Sequence, residues 1–163
     1  APILAEMVGY GTTSDAFHMT APDDEANGIT ECIRLALEDA GIKPEELGYI
    51  NAHGTSTVLN DKLETLGIKK AMGEAAYQVN ISSTKSMTGH SLGAAGAIET
   101  ITVIKALQTG IIPPTIHLEQ PDPECDLNYT PNVAVHRSLD YAMNINIGFG
   151  GQNAAIIFKK VAL

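Results

Sequence analysis

Near the start of the chain, hydrophobic positions change from a strand-like to a helical pattern. Residues 3–10, ILAEMVGY, are typical of a strand, and a loop rich in Gly, Thr and Ser follows. Apolar residues then recur every three or four positions, which predicts a helix with one buried face. These residues are Ile29, Cys32, Ile33, Ala36, Leu37 and Ala40. The acidic residues 23–25 favour the start of this helix, and Gly41 favours its end.

Two strand-and-helix units come next. Short apolar runs at residues 48–52 and 79–83 predict strands. Between them, Asp61 is followed three positions later by Glu64, a spacing typical of a capping box. The pattern therefore predicts a helix that starts at this point and ends near Gly73.

The longest helical pattern covers residues 88–108 and is followed by Gly110. Its apolar residues occur on nearly every side, so little of the helix surface is polar. A helix of this composition is expected to be buried between layers of the domain and not to lie on its surface.

The C-terminal part is typical of short strands. After a turn-rich loop, strands are predicted at residues 132–135, 143–147 and 153–158, and residues 148–151 (GFGG) predict a tight hairpin between the last two. Strands that alternate with helices, followed by a hairpin, predict an α/β fold. We expect a mixed sheet with helices packed on it and one buried helix.

Length and composition limit the possible classes of protein. The chain has 163 residues without repeats or long linkers, which predicts one domain over residues 1–163. It starts without Met and almost directly in a strand-like segment, as expected for part of a longer protein. No signal peptide pattern is present, and no apolar run approaches the roughly 20 residues that span a bilayer.

Charge and cysteine content narrow the partners and the compartment. A formal net charge of −9 argues against nucleic acid, because phosphate binding needs a surplus of Lys and Arg. Cys32 and Cys125 lie far apart, outside any metal-binding pattern, so no metal site is expected. Two such cysteines favour a reduced, cytoplasmic setting, with a single structural disulfide as the alternative.

Three segments place small and polar residues at the end of a predicted strand. They are AHGTST, STKSMTGH and GFGG. Strand ends of this kind gather at one edge of an α/β sheet, where pockets form. We therefore expect His53, Lys85, His90 and the backbone of Phe149 to face one cavity.

These residues have a catalytic and an ordinary structural interpretation. His53 is either a catalyst or a hydrogen-bonded loop residue. His90 falls in the first turn of the predicted buried helix, whose dipole favours a neutral imidazole that can donate to a carbonyl oxygen. Lys85 needs a carboxylate partner, and Glu99 lies on about the same helix face as His90. Otherwise the charge of Glu99 reaches solvent at the edge of the helix.

The remaining candidates are similarly open. Thr55 and Thr57 offer alternate hydroxyls for a ligand arm that contains amides, or are plain turn residues. The glycines around Phe149, Gly150 among them, let the backbone approach a ligand and the ring move, or form a simple turn. Cys125 lies among acidic residues that raise its thiol pKa, so it is a poor nucleophile.

Taken in order, NAHGTST, SSTKSMTGH and GFGG resemble motifs in the C-terminal half of β-ketoacyl-[acyl carrier protein] synthases. These are condensing enzymes of the thiolase superfamily, and the likeness is strongest to type II enzymes that elongate long acyl chains. The resemblance covers nearly the whole chain. It implies a thiolase-like half fold and a decarboxylative Claisen condensation, in which acyl and malonyl thioesters give a β-ketoacyl thioester and CO₂.

The resemblance also implies roles for individual residues. His53 and His90 match the histidines of a Cys-His-His triad that hold the malonyl thioester carbonyl and stabilise the enolate. Lys85 matches a lysine that supports the histidines electrostatically, and Glu99 matches a buried glutamate near it. Phe149 matches a gating phenylalanine whose backbone N–H helps to form the oxyanion hole.

The implied ligand and partners follow from the same match. Thr55 and Thr57 match threonines that bind the phosphopantetheine arm, and Gly150 beside the gate is expected to contact the substrate. No separate cofactor is implied, because the substrate is carried on the phosphopantetheine of acyl carrier protein. The expected partners are acyl carrier protein, the N-terminal half of the same enzyme and, in the full-length form, a second copy.

Two departures from the family pattern limit the resemblance. The nucleophilic cysteine belongs to the N-terminal half, and neither Cys32 nor Cys125 stands at a matching position. Residues 143–147 read MNINI, where the family usually has a Ser-Asn-Ser-Phe run. The chain alone is therefore expected to be inactive. The alternatives are a non-catalytic partner related to chain-length factors and an inert globular binding domain.

Overall fold

A five-stranded mixed sheet forms the centre of the computed structural model, which describes residues 1–161. Across the sheet the strands are β1 (Glu6–Ser14), β7 (Gln152–Lys159), β6 (Tyr141–Gly148), β2 (Leu47–Asn51) and β3 (Asn80–Ser82). β1, β7 and β6 are antiparallel neighbours, whereas β6, β2 and β3 are parallel. The predicted α/β class, mixed sheet and C-terminal hairpin are confirmed.

Helices cover both faces of the sheet. They are α1 (Asn27–Ala40), α2 (Val58–Met72), α3 (Lys85–Thr88) and α4 (Ala95–Thr109), with 3-10 helices at Pro44–Glu46, Gly73–Tyr77 and Leu92–Ala94. Side chains that alternate along β2 separate two cores, because Ile50 packs with α1 and α2 while Tyr49 packs with α4. Among the described residues, no helix is both long and apolar enough to cross a membrane.

A second sheet has only two short strands, β4 (Ile111–Ile112) and β5 (Val135–His136), paired antiparallel. The strand predicted at 132–135 is therefore mostly wrong, because the observed strand β5 has only two residues and shares only Val135 with the prediction. The other predicted strands after residue 40 differ from the observed ones by at most two residues at either end.

The first strand and helix begin later than the pattern predicts. β1 runs through the Gly/Thr/Ser segment that we expected to be a loop. The acidic residues 23–25 precede α1, which begins at Asn27, and so are not in its first turn. Asp23 instead accepts a hydrogen bond from the backbone N–H of Asn27 at 2.8 Å. The predicted stripe is buried except at its last member, Ala40, which is half-buried.

Two glycines allow β1 to pack closely against α1. A Cβ atom at Gly11 would overlap the carbonyl oxygen of Cys32 and lie 2.8 Å from the backbone nitrogen of Ala36. A Cβ atom at Gly9 would lie 2.8 Å from the Cβ atom of Ala40. β1 therefore needs residues without side chains where α1 crosses it.

The helix predicted over residues 88–108 is interrupted. α3 ends at Thr88, and α4 begins only at Ala95. Between them Gly89 and Leu92 have positive φ angles of 72° and 53°, and the His90 ring accepts the Leu92 N–H. His90 therefore lies in an irregular segment and not in the first turn of the long helix, as the pattern had suggested.

α4 is buried on one face and not on all sides. Val103 and Leu107 are fully buried against the sheet, whereas Ile98 and Ile101 on the outer face are 38% and 61% exposed in the part of the chain described. The expectation of a helix buried all round is thus met on the sheet side only.

We predict that Gly11→Ala destabilises the fold by at least about 2 kcal/mol, because β1 and α1 must separate to admit the methyl group. Gly93→Ala is the matched control, since a Cβ atom there has no neighbour within 4 Å. Chemical denaturation of both variants measures the difference in the free energy of unfolding. Equal stabilities would contradict the close β1–α1 contact.

Candidate active site

The parallel part of the sheet brings the three motifs to one edge. β2, β3 and β6 run in the same direction, so their carboxyl ends lie side by side. His53 follows the end of β2, Lys85 follows the end of β3, and Phe149 comes directly after β6. As expected from the strand pattern, the three segments leave the sheet at the same edge.

Two histidine rings meet at this edge. The ring centroids of His53 and His90 are 5.4 Å apart and the ring planes are inclined by 84°, an edge-to-face arrangement. His53 is buried and His90 is exposed. The backbone N–H of Leu92 donates to Nδ1 of His90 at 3.0 Å, which leaves Nε2 as the protonated nitrogen of the neutral ring. Nδ1 of His53 is buried and has no hydrogen-bond partner among the described residues.

The environment of His53 keeps its ring neutral. Burial, assisted by the positive charge of Lys85 and by the neighbouring His90 ring, lowers the pKa of His53 from 6.5 to about 3. At neutral pH His53 is therefore an uncharged imidazole that can donate one hydrogen bond.

Lys85 forms a buried ion pair with Glu99. The Lys85 ammonium contacts Oε1 of Glu99, and both side chains are almost fully buried. The side-chain amide of Asn146 donates to the second oxygen, Oε2, at 2.6 Å. Glu99 lies in the second turn of α4 and does not reach solvent, so the alternative of an exposed carboxylate is excluded.

Glu64 holds the turn that contains His53. Its carboxylate accepts the backbone N–H groups of His53 at 2.6 Å and of Gly54 at 2.8 Å. Burial raises the pKa of Glu64 to about 7, although these two hydrogen bonds act in the opposite direction. Glu64 is thus a positioning residue for the loop after β2.

The sequence pattern had placed Glu64 in a capping box with Asp61, and this interpretation is wrong. α2 begins earlier, at Val58, and Asp61 accepts the backbone N–H of Ser56 at 3.1 Å. A usable signal was present: Glu64, Ile68 and Met72 recur every four residues and share the buried face of α2.

A cavity of about 680 Å³ opens beside the histidine pair. Lys85, His90, Thr55 and Thr57 line it, and the hydroxyls of the two threonines are hydrogen-bonded to each other at 3.0 Å. His53 is not itself a lining residue, although its neighbours in the chain on both sides are.

Phe149 and Gly150 lie outside this cavity. The Phe149 side chain is 82% exposed, at the tip of the β6–β7 hairpin. Gly150 has a φ angle of 88°, and its N–H donates to the carbonyl oxygen of Met19 at 2.7 Å. The gate and oxyanion-hole roles of this turn therefore stay predictions.

Neither cysteine has the properties of a nucleophile. Burial raises the pKa of Cys32 to about 12, and its thiol donates to the carbonyl oxygen of Gly11 at 3.2 Å. Cys125 lines the cavity, but burial and the nearby Asp122 raise its thiol pKa. Within residues 1–161 no group of His, Cys, Asp and Glu side chains is arranged to hold a metal ion.

Sequence comparison connects this geometry to known proteins. Residues 4–119 match the family described as "Beta-ketoacyl synthase, C-terminal domain". The chain is 52% identical over 161 residues to 3-oxoacyl-[acyl-carrier-protein] synthase 2 of Coxiella burnetii, and it covers 39% of that protein. The synthase of the same name from Synechocystis sp. is also 52% identical, over 160 residues. The chain thus spans about two fifths of the length of the relatives it matches.

Solved structures agree with this result. A ketosynthase in complex with its type II PKS acyl-carrier protein superposes with a TM-score of 0.96 at 40% identity, over 99% of this chain and 40% of the other. The ishigamide ketosynthase/chain length factor gives a TM-score of 0.94 at 42% identity, over 99% and 39%. These neighbours have the thiolase fold, as the resemblance implied. The chain belongs to the β-ketoacyl synthase family, of which it contains the C-terminal domain.

Proposed function

We propose that residues 1–163 act as one domain, the C-terminal half of a condensing enzyme that elongates fatty acids. The reaction is the decarboxylative condensation of an acyl thioester with malonyl-[acyl carrier protein]. One observation carries the proposal: the edge-to-face pair of His53 and His90, with the buried Lys85 beside it at the cavity.

The two imidazoles stabilise the negative charge that develops on the malonyl thioester. Each neutral ring has one N–H, and both donate to the thioester carbonyl oxygen. The bond between the malonyl carboxylate and the adjacent carbon breaks, CO₂ leaves, and the bonding electrons form an enolate. Because the two donors are already oriented, they stabilise the developing enolate more strongly than they stabilise the bound substrate. This difference lowers the activation barrier for decarboxylation.

Condensation needs a second group, which belongs to the complementary N-terminal half. There the acyl chain is bound to a cysteine as a thioester. The enolate carbon attacks its carbonyl carbon, a carbon–carbon bond forms, and the cysteine leaves as a thiolate. This chain contributes the enolate half of the site and no nucleophile.

The remaining residues bind and admit the substrate. Thr55 and Thr57 line the cavity and hydrogen-bond the phosphopantetheine arm of acyl carrier protein, which carries the substrate in place of a separate cofactor. Phe149 and Gly150 form a gate at the end of β6. The full-length enzyme works as a homodimer in the cytoplasm.

A non-catalytic role beside an active ketosynthase is the second candidate. It is favoured by the similarity to the ishigamide ketosynthase/chain length factor and to a ketosynthase in complex with its chain length factor from Xenorhabdus doucetiae. His53, His90 and Lys85 together give this chain a complete set of enolate-stabilising groups, which a non-catalytic partner does not need. The histidine substitutions below distinguish the two roles.

Replacement of either histidine by Ala in the full-length synthase is expected to lower kcat for malonyl-[acyl carrier protein] decarboxylation roughly 100- to 1,000-fold, the cost of one lost oxyanion donor. Release of CO₂ from labelled malonyl thioester measures this rate. His136→Ala, at an exposed position on β5, is the control and should leave the rate unchanged. Unchanged decarboxylation in both active-site variants would favour the non-catalytic role.

Lys85→Met is expected to move the acid limb of the decarboxylation pH profile to higher pH. The charge of Lys85 lowers the pKa of His53, so its removal lets His53 take up a proton closer to neutrality. A shift of roughly one pH unit is typical of one nearby charge. The control is Lys105→Met, at an exposed position on α4, and an acid limb that is the same in both variants would refute this role for Lys85.

The chain by itself is expected not to condense acyl chains, because it supplies no cysteine nucleophile. Residues 1–163 are mixed with malonyl-[acyl carrier protein] and an acyl donor, with and without the N-terminal half, and β-ketoacyl product is measured by mass spectrometry. Product formed by the chain alone would show that the nucleophile has been misassigned.

A further inference from the structure

The buried carboxylate of Glu99 has two oxygens, and two different side chains satisfy them. Lys85 contacts Oε1, whereas the amide of Asn146 donates to Oε2 at 2.6 Å. A buried carboxylate with an unpaired oxygen is costly, because it has lost its hydration. The neutral amide satisfies Oε2 without adding charge, so that Lys85 remains the one cation at this carboxylate among the described residues.

α4 is shaped to admit this amide. A Cβ atom at Gly96 would lie 2.7 Å from Oδ1 of Asn146, so a larger residue there would displace the amide from its present position. Two residues earlier on β6, Asn144 donates to the carbonyl oxygen of Gly96 at 3.4 Å. Both amides point from the same face of β6 to α4, but only Asn146 contacts Glu99.

Asn146 reaches Glu99 from β6, the strand that ends at the proposed gate. The amide therefore links the buried ion pair to the sheet edge at which the three motifs emerge.

We infer that Asn146 is a positioning residue of the active site, which acts through Glu99 to hold the Lys85 ammonium beside the histidine pair. The inference deepens the proposed function and rests on it for the catalytic meaning of Lys85. The amide donor fixes Oε2, so the carboxylate keeps the orientation in which Oε1 contacts the Lys85 ammonium. Within residues 1–161, Lys85 from α3 forms the ion pair with Glu99, and Tyr49 from β2 faces it closely enough that, beside burial, the charge of Glu99 helps to raise the pKa of the Tyr49 hydroxyl.

The first test needs no catalysis. The ¹⁵N-detected exchange of the Lys85 ammonium protons with water is measured in the full-length protein, in Asn146→Leu and in Asn144→Leu. Loss of one hydrogen bond to a charged group is expected to speed this exchange about tenfold in Asn146→Leu. Asn144→Leu is matched in strand, face and chemistry but does not touch Glu99, so its exchange should equal that of the unsubstituted protein. Equal exchange rates in the two variants would overturn the inference.

The second test asks whether the effect reaches the reaction. In Asn146→Leu the acid limb of the decarboxylation pH profile should move towards neutrality with KM unchanged, and Asn146→Gln, which keeps an amide donor, should recover most of the difference. If Asn146→Leu does not fold, Asn146→Ser, with its shorter donor, takes its place in both tests. A uniform fall in kcat with the native pH profile would mean that Asn146 is only structural. Absence of decarboxylation in the unsubstituted protein would refute the proposed function, while the ammonium exchange would still decide the role of Asn146.

Discussion

β2 lies between β3 and β6 and is parallel to both, so three chain segments must leave the sheet at one edge. Because hydrogen bonds of the sheet fix the register of these strands, they also fix the points at which His53, Lys85 and Phe149 emerge. If β3 were antiparallel to β2, the segment that carries Lys85 and His90 would leave the sheet at the opposite edge. The two histidine rings would then not be in contact. The chemistry proposed for the chain thus depends first on a backbone pairing and only then on side chains.

At that edge a buried ion pair, Lys85 with Glu99, lies behind the neutral imidazoles. Glu99 belongs to α4 and Lys85 to α3. Removing one partner of such a buried pair typically lowers the free energy of unfolding by about 3–5 kcal/mol. A well-packed apolar pair is often equally stable. The ion pair is therefore better understood as a source of electric field: Lys85 contributes to the low pKa of His53 and so keeps an uncharged donor beside the cavity.

Sequence reasoning was most reliable where periodicity is strong. The stripe of α1, the hairpin of β6 and β7 and the polar strand ends all follow from spacing and burial. It failed where a local interaction overrides the pattern: Gly89 and the hydrogen bond from Leu92 to His90 interrupt a helix that periodicity alone continues. The contact of Asn146 with Glu99 could not be predicted either, because it depends on how α4 crosses β6 and on the space at Gly96.

The contact between Glu64 and the backbone of His53 places two groups with opposite proton linkage next to each other. His53 has a pKa of about 3 in the fold against 6.5 ordinarily, so its contribution to stability is lost as the pH falls below 6.5. Glu64 has a pKa of about 7 against 4.5, so its contribution is lost as the pH rises from 4.5 to 7. Between pH 4.5 and 6.5 the proton released by one group on folding is taken up by the other. This turn therefore exchanges few protons with solvent on folding across mildly acidic conditions, and its stability there is buffered against pH.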